Sequence, residues 1–130
     1  MKQELRLSGT GGQGLILAGI ILAEAALLDG KLAIQSQSYG PEARGGSSKS
    51  EVMISEEAIH FPKVTEPNLL LAMSQEAANK YSTDLSPESI LVTDSLFVSK
   101  LPAHSGKVYE LPITHSAKEI LGKALFANII

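Results

Sequence analysis

Two stretches of this 130-residue chain combine residue types and spacings that could do chemistry. The first is Gly9-Thr10-Gly11-Gly12-Gln13-Gly14, with the spacing Gly-x-Gly-x-x-Gly at Gly9, Gly11 and Gly14. Between a strand and a helix, such a turn can receive a phosphate on the free N–H groups of the helix start. On that reading Gly9 permits the tight turn, Gly11 lets an anion approach the backbone, and Gly14 lets helix and strand pack closely. The second stretch is "QSYGPEARGG", Gln37 to Gly46. Gly40, Gly45 and Gly46 supply conformational freedom and Pro41 fixes one turn angle, so this is a shaped loop. Arg44 is a permanent cation that can grip a carboxylate or phosphate in bidentate fashion. Tyr39 and Arg44 are also residue types enriched where proteins dock. The loop therefore suits an anionic ligand or a partner protein, while Glu42 offers Arg44 an internal ion pair.

Other candidates carry less. A dinucleotide site would want an Asp or Glu at the end of the second strand, roughly 20 residues past the glycines. That region reads Ile34-Gln35-Ser36-Gln37, with no acid before Glu42. The glycine turn could then serve close packing alone. His60, His104 and His115 stand far apart without ligand spacing, which speaks against a metal site. Asp94 and Ser95 fall where parallel sheets place ligands, although Asp94 could equally cap a turn. Ser38, Ser47, Ser48 and Ser50 have no histidine in a nearby motif. The chain has no cysteine, which excludes disulfides, thiolate nucleophiles and an iron–sulfur cluster held by these residues.

The elements that must position these residues follow from the pattern along the chain. Residues 4–8 alternate as a short strand before the glycines. Leu15 to Leu28 is apolar almost all round, too short for a membrane span of about 20 residues, and reads as a buried core helix. "KLAIQSQ" and Ser48–Ser55 are strands, and the Pro-bounded stretch 60–67 is the best place for a crossover. Asn68–Ser74 and Ser89–Ser95 are continuous apolar runs suited to central parallel strands. "QEAANKYS" is a short helix, and Gly106–Thr114 a weaker strand. Ser116-x-x-Glu119 reads as a capping box that opens an amphipathic helix running without a glycine cap to Ile130. That unfinished apolar end creates the expectation that the chain is a fragment of a longer one. Strands alternating with helices predict one domain with an open, mostly parallel α/β sheet and helices on both faces. Apolar residues are 44% and the net charge is −3, which fits a globular domain and gives no field for nucleic acid. "MKQELRLSG" has no signal-peptide pattern, so a cytoplasmic, non-membrane protein is expected.

In order, "GTGGQGLILAGIILAEAALLDGK", "QSYGPEARGGSSKSEVMIS", "FPKVTEPNLLLAMSQEA" and "LVTDS" resemble the gamma subunit of 2-oxoacid:ferredoxin oxidoreductases over nearly the whole chain. "TEPNLLLAMSQEA" leans toward the 2-oxoglutarate type over the pyruvate type. The resemblance implies a Rossmann-like gamma domain over residues 1–130. It also implies a multi-subunit enzyme that decarboxylates a 2-oxoacid to an acyl-CoA and passes electrons to ferredoxin. Thiamine diphosphate, magnesium, iron–sulfur clusters and CoA would then belong to the assembly, with none bound by this chain alone. Its partners would be alpha, beta and, in some assemblies, delta subunits, and the isolated chain would be inactive and prone to self-association. Carried over by position, the residues expected to meet cofactor, substrate or neighbouring subunits are Gly9, Gly11, Gly12, Gln13, Gly14, Tyr39, Gly40, Pro41, Glu42, Arg44, Gly45 and Gly46. The family often has Asp where this chain has Asn68, and its members usually run on past this C-terminus. The alternative from another class is a stand-alone nucleotide-binding domain, either a dehydrogenase or a regulatory sensor.

Overall fold

The computed structural model describes residues 2–11, 13–39 and 47–130. In chain order the elements are β1 (Lys2–Thr10), α1 (Leu15–Leu28), β2 (Leu32–Tyr39), β3 (Ser47–Ser55) and β4 (Leu69–Ala72). They continue with α2 (Gln75–Tyr81), β5 (Ile90–Asp94), β6 (Lys107–Leu111), α3 (Ile113–Leu121) and a 3-10 helix, η1 (Ala124–Ile129). The strands form one sheet in the order β2-β3-β1-β4-β5-β6. β1, β4, β5 and β6 run parallel, while β3 is antiparallel to both of its neighbours, β1 and β2. The sheet is open and mostly parallel, as the alternation of elements predicts.

Period-two alternation divides the core between the two faces. Leu7 points to one side, where it packs with Leu15 of α1, Met73, Ala117 of α3 and Ala127 of η1. Leu70 and Leu91 point to the other side, against Ala77 and Tyr81 of α2. Both leucines are fully buried, each worth about 1.5–3 kcal/mol of burial. The apolar runs of β4 and β5 are continuous because helices cover both of their faces. The connection from β3 to β4 passes the N-terminal end of β1, since its two strands flank β1. Glu4 fastens it there, its carbonyl accepting from Asn68 N at 2.7 Å and its Oε1 from Thr65 N at 3.3 Å. The crossover expected at residues 60–67 lies within this connection.

Arg6 alternates with Leu5 and Leu7 and so faces α2, where it is buried. Its Nε donates to Glu51 Oε2 at 2.7 Å, and Nη1 lies 3.3 Å from Asp84. The guanidinium also sits 5.9 Å from the centre of the Tyr81 ring. Removing one partner of such a buried pair typically costs about 3–5 kcal/mol, because the other charge is left uncompensated.

Two local expectations are corrected. α1 is not a wholly buried helix. Leu15, Gly19 and Ala26 are buried, whereas Leu17 is 52% and Leu28 91% exposed. A single helix on a single sheet can bury only one stripe, and no described element covers the opposite one. Gly19 sets the approach of α1 to the sheet, since a Cβ there would run into the Ser50 side chain. The last segment is not one helix opened by a Ser116 capping box. α3 begins at Ile113, and Ser116 N already donates to Pro112 O at 2.8 Å within it. Gly122, at φ 83°, ends α3 in the left-handed conformation and donates to Lys118 O. The apolar pattern runs across that break, and so it hid the glycine cap.

Thr93 Oγ1 is buried beside Ala72 and has no hydrogen-bond partner among the described residues. Thr93→Val replaces it with a group of the same shape. The expected result is a gain of about 1 kcal/mol in urea unfolding, and a loss of that size would show that the hydroxyl is satisfied.

Candidate functional site

β1 and β4 end at the same rim of the sheet. From there α1 leaves toward one face and α2 toward the other, which opens a crevice between the two strand ends, the usual ligand position in such sheets. The glycine turn lies in this crevice. Gln13 reaches across it: its Oε1 accepts from Thr10 N at 2.8 Å and its Nε2 donates to Met73 O at 2.9 Å. The side chain at the helix mouth is therefore spent on holding the turn of β1 to the end of β4.

Gly9 and Gly14 exchange the work expected of them, while Gly11 keeps its own. Close packing is required at Gly9, where a Cβ would collide with Gln13 Oε1 and lie 2.8 Å from Leu15 Cδ1 and 3.0 Å from Met73 Cβ. Left-handed backbone is required at Gly14, the N-cap of α1, with φ 75°. Gly14 also has the Asn128 side chain where its own Cβ would be, and Asn128 Nδ2 donates to Gly14 O at 3.2 Å. Gly11 has nothing among the described residues within 4 Å of a hypothetical Cβ. It lines a cleft of about 490 Å³ with Thr10, Gln13, Met73, Ser74 and Leu125. It also lines a second opening of about 310 Å³ on the α1 side, with Gly14, Ile16 and Ser48. Gly11 is thus the point of the turn where backbone is open to a visitor, and no side chain caps the first turn of α1.

Gly12, Gly40, Pro41, Glu42, Arg44, Gly45 and Gly46 lie outside the described residues, and Tyr39 enters by its backbone alone. Register nevertheless fixes where the second loop begins and ends. Ser47 pairs with Thr10, and Ser48 pairs with both Gly9 and Tyr39. Tyr39 and Ser47 therefore stand at the rim that carries Thr10 and Gly11, and the two glycine-rich stretches start from one end of the sheet. The same register explains why no acid follows the second strand in dinucleotide fashion. The strand beside β1 is β3, not β2, and at the turn it presents Ser47 and Ser48.

Asp94 and His104 make structural contacts. Asp94 is fully buried and accepts from the Thr114 hydroxyl and from Leu96 N at 3.2 Å, joining β5 to the start of α3. His104 Nε2 donates to Ser89 O at 2.9 Å, while His60 and His115 are exposed. Among the described residues no group of His, Asp and Glu could hold a metal ion, and no helix is long and apolar enough to cross a membrane. Asn68 Oδ1 accepts from Glu4 N at 2.6 Å, a bond that an Asp would also make. Sequence reasoning missed Asn128, whose partner is 114 residues away.

The sequence profile of the pyruvate ferredoxin/flavodoxin oxidoreductase family matches residues 4–130. The chain belongs to this family. It is 50% identical to the 2-oxoglutarate synthase subunit KorC of Methanocaldococcus jannaschii, aligned over all of this chain and 71% of that protein. The KorC subunit of Methanothermobacter marburgensis is 44% identical over all of this chain and 74% of its own length. The crystal structure of the keto/oxoacid ferredoxin oxidoreductase gamma subunit from Geobacter sulfurreducens superposes with a TM-score of 0.89. It is 50% identical and covers 99% of this chain, which in turn spans 71% of it.

Gly9 and Gly11 separate packing from access. Gly9→Ala is expected to cost about 2–3 kcal/mol in urea unfolding through overpacking. Gly11→Ala should stay within about 0.5 kcal/mol of the parent. Equal effects at the two positions would contradict this geometry.

Proposed function

We propose that this chain is the gamma component of a multi-subunit 2-oxoacid:ferredoxin oxidoreductase, with 2-oxoglutarate the favoured 2-oxoacid. The observation that carries the reading is the 50% identity, over the whole chain, to a protein named as a 2-oxoglutarate synthase subunit. The assembled enzyme would decarboxylate the 2-oxoacid oxidatively to an acyl-CoA and pass the electrons to ferredoxin.

The residues present do not fit the iron–sulfur clusters of that reaction. Iron–sulfur clusters need thiolates, and these 130 residues contain no cysteine. Those groups are assigned to alpha, beta and, where present, delta chains, with ferredoxin reached through them in the cytoplasm. The gamma-type domain of residues 1–130 contributes a rigid wall. Its exposed α1 residues, such as Leu17, Ile21 and Leu28, are suited to burial against neighbouring subunits. Alone, the chain would turn nothing over and would self-associate through the same surface.

At the rim, Gly9, Gly12, Gln13 and Gly14 would shape the turn, and Gly11 would bring backbone close to a visiting group. Tyr39, Gly40, Pro41, Glu42, Gly45 and Gly46 would form the docking loop. Arg44 would supply the positive charge for an anionic group such as a CoA phosphate. In the assembled enzyme Arg44→Ala is expected to lower kcat/KM for CoA at least tenfold, with assembly and the glycine turn intact. The assay supplies 2-oxoglutarate, CoA and ferredoxin, and full activity of the variant would remove Arg44 from the reaction.

A further inference from the structure

We propose that Asn128 is a positioning residue that clamps η1 to the glycine turn and thereby sets the width of the crevice. The large cleft has two walls that are remote in sequence: Thr10, Gly11 and Gln13 on one side, and Ala124, Leu125 and Ala127 on the other. The first wall is fixed from within by the two hydrogen bonds of the Gln13 side chain. The second is η1, which packs on α3 and α1. Within η1 only Ala127 is buried, whereas Leu125 is 64% and Ile129 62% exposed. The Ala127 methyl lies in the core cluster with Leu7, Leu15, Met73 and Ala117 of α3, and the Asn128 carboxamide adds a hydrogen bond to the glycine turn.

The carboxamide is the directional part. Asn128 Nδ2 donates to Gly14 O at 3.2 Å, and the same carbonyl accepts Ala18 N at 3.0 Å, the first bond of α1. The clamp thus joins η1 to the point where the glycine turn becomes helix. Its seat exists only because position 14 is glycine: a Cβ there would lie 2.8 Å from Asn128 Cγ. Any group entering the crevice meets η1, which lines it through Ala124, Leu125 and Ala127. Displacement of η1 is consequently felt at Gly14, and distortion of the turn at η1.

The test compares Asn128→Ala and Asn128→Asp with the parent in the assembled enzyme; the aspartate keeps the shape but has no N–H to donate. Hydrogen exchange is followed in peptides covering residues 9–18 and 120–130. Both variants are expected to exchange at least fivefold faster in both peptides. Acceleration confined to 120–130, or no acceleration, overturns the clamp. The KM for CoA, read in parallel against kcat, separates this inference from the proposed function. Coupled acceleration with an unchanged KM would uphold the clamp while arguing that CoA does not use this crevice.

Discussion

The carboxamide of Gln13 spans the gap between two strands that diverge in their onward connections. β1 hands the chain to α1 on one face, β4 hands it to α2 on the other, and the crevice between them would be free to gape. Gln13 closes the backbone circuit with one accepted and one donated bond, to Thr10 N and Met73 O. The bonds require Gly9, because any side chain there would occupy the path of the carboxamide. They also leave Gly11 as the exposed summit of the turn, with a cleft on either side. Close packing at one glycine and open backbone two residues later are consequences of the same hydrogen-bonded bridge.

The antiparallel β3 adds the second constraint. By inserting between β1 and β2 it brings Ser47 beside Thr10, so that the connection from Tyr39 to Ser47 begins and ends at the rim of the glycine turn. A parallel neighbour would have sent that connection elsewhere. The rest of the sheet is built for rigidity: β4 and β5 are buried from both sides, and the Arg6–Glu51 pair ties β1 to β3 beneath α2. A body of this kind presents shaped backbone at one rim and apolar side chains along α1.

Much of this was legible from local patterns, because local patterns report short-range physics. Leu15–Leu28 is helical in both reading and structure, and the apolar runs at Leu69–Ala72 and Ile90–Asp94 are central parallel strands. The alternation Val52/Ile54 marked β3, and the prolines near residue 62 marked an irregular connection. The family motifs were recognisable as strings of residues. Less legible was the end of the chain, where apolar spacing continued through Gly122 and concealed a helix stop that depends on one residue's φ.

What the sequence determined by itself was therefore the kind of protein: an α/β domain with a glycine turn after its first strand and residue strings typical of one oxidoreductase family. Tertiary structure alone decided which glycine is packed and which is open, that Asn128 meets Gly14, that Arg6 is buried, and that α1 keeps a bare apolar stripe. The physical reason is range. Helix and strand preferences act between residues a few positions apart and leave a period in the sequence. Gln13 with Met73, Arg6 with Glu51 and Asn128 with Gly14 are contacts between distant segments, which only the order and register of the strands bring together.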